Sequence, residues 1–255
     1  MGRNNRLGYD GEMGTLDYIL DHYYPDWDEY EEGMKAPWRR ERTHLKDFGD
    51  ILGPHTTLEV KNRKSSDGSV SAILDDAEKK GIESGLRFWA LVSKVPGIGK
   101  SNAGLWEAFM TVDQMFNGWG IRPREFEDDY EGFLAALPDL CQPVDEYDHE
   151  PFNRSHADLH ARLRNFDGPE YDWTYEIGYL SAVTKMREAR AEALSEFDTD
   201  PTSVNRTVPL LISRRKEYRD QPDKWYVALH LHSLMRIAES IGTVTQQKAD
   251  YETKE

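Results

Sequence analysis

The sequence predicts an α/β fold, on three observations. Apolar residues recur at helical spacing over 7–22 and again over 69–84. Apolar or alternating runs of strand length stand at 56–60, 88–93 and 105–110. The two kinds of segment alternate along the chain, which is the pattern of a central sheet flanked by helices.

In the first helix Leu7, Met13, Leu16, Ile19 and Leu20 share one face, and Asp10 or Gly11 is the expected opening. Pro25 to Pro37 is acidic and aromatic and reads as a loop. A basic stretch follows, Trp38-Arg39-Arg40-Glu41-Arg42. Asp47 to Leu52 has the look of a short strand ending in the Gly53-Pro54 turn. Thr56 to Val60 reads as a half-buried strand, with Lys61 to Lys64 leaving its end. Ser69 to Ser84 is a helix with Val70, Ile73, Leu74 and Ala77 inward, and Phe88 to Ser93 is a continuous apolar run of buried-strand type. Pro96 to Lys100 is a loop, Leu105 to Met110 a strand, and a short helix starts at Thr111. These elements make residues 1–116 one core.

From 117 to 175 the chain is rich in Pro, Gly, Asp and Glu, and its apolar residues are scattered. The expectation there is an irregular acidic insert with one or two short helices and no sheet. Residues 176–255 return to regular patterning: a helix from Glu176 to Phe197, a strand from Thr207 to Ser213, a basic loop to Lys224, a strand from Trp225 to Leu229 and a helix from Leu231 to Ile241. This part echoes the first. Leu91-Val92-Ser93-Lys94 matches Leu211-Ile212-Ser213-Arg214, and Trp follows the Ser after 13 residues in one case (Trp106) and 12 in the other (Trp225). Val70-Ser71-Ala72 likewise matches Leu180-Ser181-Ala182. The pattern is a half-repeat of helix, strand, loop, strand and helix, expected to pack on the core; the alternative is the chance recurrence common to α/β chains.

Hydrophobic residues make up 38% and charged residues 31%, the balance of a soluble globular protein. No apolar run approaches the roughly 20 residues of a membrane span, and the polar N-terminus lacks a secretory apolar region. The single cysteine, Cys141, excludes a disulfide framework and a cysteine metal site. The expected compartment is the cytoplasm of a cell, or of a host cell. The net charge of −15 opposes nucleic-acid binding as a whole-chain property, but it is unevenly spread. Residues 1–116 hold 15 basic and 20 acidic side chains, 117–175 hold 5 and 14, and 176–255 hold 12 and 13. The outer parts can therefore present basic faces.

Chemistry concentrates in Thr57-Leu58-Glu59-Val60-Lys61. On a strand, residues i and i+2 point to one side, so Glu59 and Lys61 project together while Val60 faces the core and offers its backbone carbonyl. Asp50 lies nine residues before Glu59 across the turn. If 47–51 and 56–61 pair as a hairpin, Asp50 sits beside Glu59. Two carboxylates and one carbonyl suffice for Mg²⁺, which prefers oxygen and keeps several waters. A lysine beside them can orient a hydrolytic water or stabilise developing oxyanion charge. Arg63 and Lys64, just beyond, are placed to meet phosphate. Glu-x-Lys alone is a weak signal; the flanking alternation and the preceding Asp strengthen it.

Gly49-Asp50-Ile51, then Leu58-Glu59-Val60-Lys61-Asn62, then a helix bearing Ala77-Glu78, then an apolar strand ending in Ser93-Lys94, together resemble the PD-(D/E)xK nuclease superfamily. Within it the sequence is similar to Holliday junction resolvase-like endonucleases of actinobacterial phages, over about residues 5–116. The resemblance implies a restriction-endonuclease-like mixed central sheet with flanking helices. It implies Mg²⁺- or Mn²⁺-dependent hydrolysis of DNA, branched DNA in particular, with Asp50 and Glu59 as metal ligands and Lys61 as the catalytic lysine. It also implies that Glu12, on the first helix, completes the site directly or through water. Such resolvases work as dimers, so the expected assembly is a homodimer or, through the half-repeat, an intrachain pseudo-dimer. The half-repeat has no second Glu-x-Lys and reads as scaffold. The chain departs from the pattern in being long and acidic, and 117–255 has no counterpart in the short members.

Competing readings accompany each feature. Asp47 competes with Asp50 as the ligand, and Glu12 suits a helix start for dipole reasons alone. DNA contacts are expected from Arg42, Arg63, Lys64, Arg214 and Arg215, against solvated charge runs; Arg39 and Arg40 belong to the first run and Lys216 and Arg219 to the second. Lys79 and Lys80 read as a solvated helix face, with phosphate contact as the alternative. The pairs His156/His160 and His230/His232 lack a third zinc ligand nearby. Gly97-Ile98-Gly99-Lys100-Ser101 has Lys94 where a Walker loop needs its first glycine and precedes a strand, which excludes it as a nucleotide loop. The rival functions are a nuclease of linear or single-stranded DNA, and a non-catalytic nuclease-fold protein whose acidic insert mimics DNA or docks a basic partner.

Overall fold

A computed structural model describes residues 3–24, 38–40, 49–62, 67–141, 158–163, 171–180 and 207–240. The protein is mixed α/β. It divides into two compact units: Met1–Lys64 with Asp75–Ala108 and His230–Glu255, and Ser65–Leu74 with Phe109–Leu229. This division cuts across the order of the sequence, because the chain changes unit inside one helix, inside one strand and at the end of another.

The first unit opens with α1, Arg3–Tyr23. It begins well before Asp10 and Gly11, which open nothing. Two of its glycines are contact points instead. A Cβ at Gly11 would lie 3.1 Å from Asn62 Cβ and 3.5 Å from Val60 Cγ1, and one at Gly14 only 2.7 Å from the Trp106 ring. Each mid-helix glycine costs about 1 kcal/mol relative to alanine; here it lets the helix lie close against strand and loop. Leu16, Tyr18 and Ile19 are buried, whereas Met13 and Leu20 are half-buried.

The strands of this unit are β1 (Arg39–Arg40), β2 (Ile51–Gly53), β3 (Thr56–Lys61) and β4 (Phe88–Ser93), paired in that order. β1 and β2 are antiparallel, as are β2 and β3, with Ile51 opposite Leu58. β3 and β4 are parallel, with Glu59 opposite Leu91 and Lys61 opposite Ser93. The expected hairpin is present. The expectation that β3 is half-buried is not met: Thr56 to Val60 are all buried, because α1 covers one face as the central-strand neighbours β2 and β4 close its edges. Parallel β3 and β4 need a crossover, supplied by α2, Asp67–Ser84, which buries Val70, Leu74 and Ala77. After β4 a 3₁₀ segment, Lys100–Leu105, leads into β5, Glu107–Thr111. The last helix, α4, Leu231–Ser240, joins this unit: its Leu231 N–H donates to the Trp106 carbonyl at 2.8 Å, and Tyr23 Oη donates to the His232 carbonyl at 3.2 Å.

In the second unit a π-helical turn, Gln114–Gly118, follows β5, and α3, Tyr130–Leu140, is capped by Asp129, whose Oδ1 accepts from Gly132 N–H at 2.8 Å. Phe116, Phe126 and Phe133 pack together, with ring centroids 5.6 Å apart for Phe116/Phe133 and 5.5 Å for Phe126/Phe133. The strands are β6 (Asp158–Leu163), β7 (Tyr171–Leu180), β8 (Thr207–Ser213) and β9 (Tyr226–His230). β6 and β7 are antiparallel, β7 and β8 parallel, β8 and β9 antiparallel.

Two expectations fail here. Residues 117–175 are not without a sheet, since β6 and the start of β7 lie in them. Residues 176–180 are strand and not the beginning of a helix. The reason is legible in hindsight: Tyr171, Trp173, Tyr175, Ile177 and Tyr179 alternate with small or polar residues at period two. The rest of the helix expected up to Phe197 lies outside the described residues, as does the loop expected over 25–37. Among the described residues no helix is long and apolar enough to cross a membrane.

Candidate active site

The candidate site is built on β3 in the first unit. The turn that places Asp50 depends on Gly49, whose φ of 111° is a left-handed value open chiefly to glycine. A Cβ there would stand 2.4 Å from Thr57 Oγ1 and 3.2 Å from the Leu58 carbonyl oxygen. Gly49 thus lets the chain run tight against β3. Asp50 N–H then donates to the Leu58 carbonyl at 2.9 Å, and Asp50 Oδ2 accepts from Val60 N–H at 2.7 Å. Asp50 is held directly over the strand that carries Glu59 and Lys61.

Glu59 is buried, with 2% exposure, and Lys61 is partly exposed. Lys61 Nζ donates to Glu59 Oε1 and lies 3.8 Å from Asp50 Oδ2. A second ammonium reaches the same oxygen from α2: Lys80 Nζ is 2.9 Å from Glu59 Oε1 and 3.3 Å from Asp76 Oδ2. Glu59 Oε1 is therefore bracketed by two lysines. The other oxygen, Oε2, is buried and takes no hydrogen bond among the described residues. A bare buried carboxylate oxygen is costly.

Both carboxyl groups titrate above their ordinary range. Burial raises Glu59 from 4.5, and the charge of Asp50 adds to it while Lys61 opposes. Burial also raises Asp50 from 3.8, against the pull of Lys61 and the Val60 N–H; the charge of Glu12 raises it further. Glu12 thus lies within electrostatic reach of Asp50. Its Oε2 accepts from Arg40 Nε, and the Arg40 guanidinium stacks 4.8 Å from the Tyr9 ring centroid. Arg40 is positioned by its neighbour Trp38, which is fully buried, packs on Gly53 and donates to Tyr24 Oη at 3.2 Å.

The structure therefore brings Asp50, Glu59, Val60 and Lys61 together, with Glu12 alongside and ion-paired. Among the described residues no group of three or more His, Cys, Asp or Glu side chains is placed to hold a metal ion. The donor set suited to a hard cation is the Asp50/Glu59 pair plus backbone and water oxygen. Lys80, Asp76 and Arg40 belong to the site and were not assigned to it from sequence. Lys80 reads as one of several charges on an amphipathic helix, and only the crossover of α2 beside β3 aims it at Glu59.

The phosphate contacts expected from sequence divide three ways. Arg42, Arg63 and Lys64 lie outside the described residues. Arg214 is half-buried, its guanidinium 5.5 Å from the Trp225 ring centroid. Arg215 is a correction. It is 1% exposed, its Nε donates to Ser71 Oγ at 2.9 Å, Nη2 to the Ser71 carbonyl at 2.8 Å and Nη1 to the Lys224 carbonyl at 3.0 Å. A guanidinium committed to three internal acceptors cannot serve a phosphate; Arg215 ties the second unit together. Of the histidine pairs, His230 and His232 have ring centroids 5.4 Å apart, with His232 Nδ1 3.0 Å from the Gly104 carbonyl. Compared with family models, curated proteins and solved structures, the chain matches none.

Proposed function

We propose that the chain is a metal-dependent deoxyribonuclease with a restriction-endonuclease-like core, and that branched DNA is its substrate. The observation that carries the reading is Glu59 Oε2: a buried, bare carboxylate oxygen beside a second carboxylate, with lysines occupying the other oxygen. A buried carboxylate oxygen left without a partner is unfavourable unless something engages it, even with the other oxygen paired. Mg²⁺ or Mn²⁺ held by Asp50, Glu59 and the Val60 carbonyl fits that need.

When bound, the cation neutralises phosphate charge and makes water a better nucleophile near neutral pH. Lys61, on the same side of β3, orients the attacking water and stabilises the charge that develops on the phosphoryl oxygens. The water oxygen forms a bond to phosphorus as it gives up a proton to solvent, the bridging P–O bond opposite breaks, and the leaving oxygen takes up a proton from solvent. Lys80 holds Glu59 Oε1, so that Oε2 stays directed to the ion. Glu12 enters through its charge on Asp50, with Arg40 fixing its place. Arg42, Arg63 and Lys64, a few residues from β1 and β3, are the candidates for phosphate contact; Arg39, exposed on β1, joins them.

The test is cleavage of a four-way junction, a linear duplex and a single strand, with Mg²⁺ or Mn²⁺ and with chelator. Glu59→Ala and Lys61→Ala are each expected to lose at least ~100-fold in rate while binding persists. Normal cutting by both variants overturns the proposal. Preference for duplex or single strand over the junction replaces the substrate class. DNA binding without any cleavage by the wild-type chain favours the non-catalytic reading.

A further inference from the structure

The Ser-basic…Trp half-repeat extends from sequence into three-dimensional detail. After β4 and after β8 the chain leaves the strand with Ser plus a cation, passes through 3₁₀ structure (one segment, Lys100–Leu105, in the first copy and two, Lys216–Tyr218 and Pro222–Lys224, in the second), and enters the next strand at a fully buried tryptophan. Trp106 has φ −72° and ψ 151°, Trp225 φ −64° and ψ 155°. Trp106 N–H donates to the carbonyl three residues back, Ala103, at 2.9 Å, and Trp225 N–H to that of Pro222 at 3.1 Å. Each indole N–H donates to a loop carbonyl: Trp106 to Ile98 at 3.4 Å, Trp225 to Tyr218 at 2.8 Å. The cation after each Ser stands over its own tryptophan, Lys94 at 5.6 Å and Arg214 at 5.5 Å from the ring centroid. Each Trp carbonyl accepts from the residue after the other copy's second strand, Trp106 from Leu231 at 2.8 Å and Trp225 from Val112 at 2.9 Å.

The strands before these motifs also correspond. β3 is parallel to β4 and antiparallel to β2; β7 is parallel to β8 and antiparallel to β6. With Ser93 matched to Ser213, the registers align Lys61, opposite Ser93, with Leu180, opposite Ser213. Glu59, opposite Leu91, then aligns with Gly178, opposite Leu211. The second copy keeps the frame and has neither the carboxylate nor the lysine at the two positions that matter.

We infer that the chain is an internal duplication with one working reaction centre, and that it therefore nicks one strand of DNA per binding event. This rests on the nuclease reading above. A symmetric dimeric nuclease has two centres and cuts both strands of its target; a duplicated chain with Gly178 and Leu180 in the second register has one.

The test is a time course on supercoiled plasmid with Mg²⁺, enzyme well below plasmid concentration, together with light scattering of the full chain under the same conditions. The expected result is a monomer of 29.5 kDa and accumulation of nicked circle as the first product, with linear DNA only after a lag. Glu59→Gln is expected to reduce nicking at least ~100-fold, since a single centre accounts for all of it. Linear product appearing without a nicked precursor, or a stable dimer, overturns the inference while leaving the nuclease reading in place; nicking by Glu59→Gln near the wild-type rate overturns the inference together with the site on which the nuclease reading stands. No cleavage of any DNA by the wild-type chain overturns both.

Discussion

Arg215→Ala separates a structural arginine from a DNA-binding one. In the structure its guanidinium makes three hydrogen bonds, to Ser71 Oγ, the Ser71 carbonyl and the Lys224 carbonyl, and its face lies 4.3 Å from the Tyr218 ring centroid. A hydrogen bond with a charged partner contributes about 1.5–3 kcal/mol. Three do not sum, because burying the cation itself costs several kcal/mol and the substitution removes that cost too. What remains after truncation is two backbone carbonyls and a hydroxyl without their donor, and a net loss of about 3 kcal/mol is expected. For a chain of this length that lowers Tm by about 6–12 °C. Urea unfolding followed by tryptophan fluorescence reads it directly, because Trp225 sits one residue beyond the acceptor Lys224. Arg215→Lys is expected to lose most of the same energy, since an ammonium cannot reproduce the planar fork. The reasoning is refuted if Arg215→Ala unfolds at the wild-type midpoint and instead lowers the salt slope of DNA binding by about one ion, the signature of a lost phosphate contact.

Saturating Mg²⁺ at about 100 times its Kd is expected to stabilise the chain by about 2.7 kcal/mol, a rise in Tm of about 5–11 °C that Glu59→Gln removes; scanning calorimetry with and without chelator checks it. In the metal-free chain Asp50 and Glu59 hold protons more tightly than the unfolded chain does, so stability falls as pH rises from their ordinary values, 3.8 and 4.5, through the raised ones. Glu59→Gln flattens that slope in urea midpoints measured across the window, and an unchanged slope counts against burial as its cause. Lys80→Met removes a group that lowers the Glu59 and Asp50 pKa values; the acid limb of the cleavage profile moves to higher pH and the rate falls about 10-fold, whereas an unmoved limb shows that Lys80 does not act through the carboxylates.

How much was legible in the sequence depended on whether a feature is local. Glu59 and Lys61 share a side of one strand by period two alone, and Gly53-Pro54 announced the hairpin that brings Asp50 to them. Lys80 was not legible, because helix patterning says which face a residue occupies but not which strand the helix crosses. Arg214 and Arg215 are adjacent and chemically identical, and only the tertiary path decides that one rests on a tryptophan while the other is buried under Ser71. β7 was misread for a different reason. Its alternation of Tyr171, Trp173, Tyr175, Ile177 and Tyr179 was present, but the helix-like spacing that follows drew the boundary too early. Gly11 of α1 misleads in the same way: as a helix opener it is plausible from sequence, and only its contacts with Val60 and Asn62 show it as a packing surface.

The duplicated frame bears on why β3 carries a carboxyl group at position 59 at all. A buried carboxylate with one bare oxygen, raised in pKa by its own burial, is a standing cost to the fold. The frame itself does not demand it, because the matching register in the second copy holds Gly178, and Lys61 is matched by Leu180, in strands that pair in the same parallel and antiparallel sense. If Glu59 served only to hold β3 between its neighbours, the two copies would face the same requirement and an uncharged residue would satisfy both. Two lysines from separate elements converge on Oε1 in the first copy alone, and the Gly49 turn, in a conformation open chiefly to glycine, holds Asp50 against the same strand. Stability by itself gives no reason to assemble those charges. The proposed reaction, which needs an anionic cage for a cation, does, and needs it only once per chain.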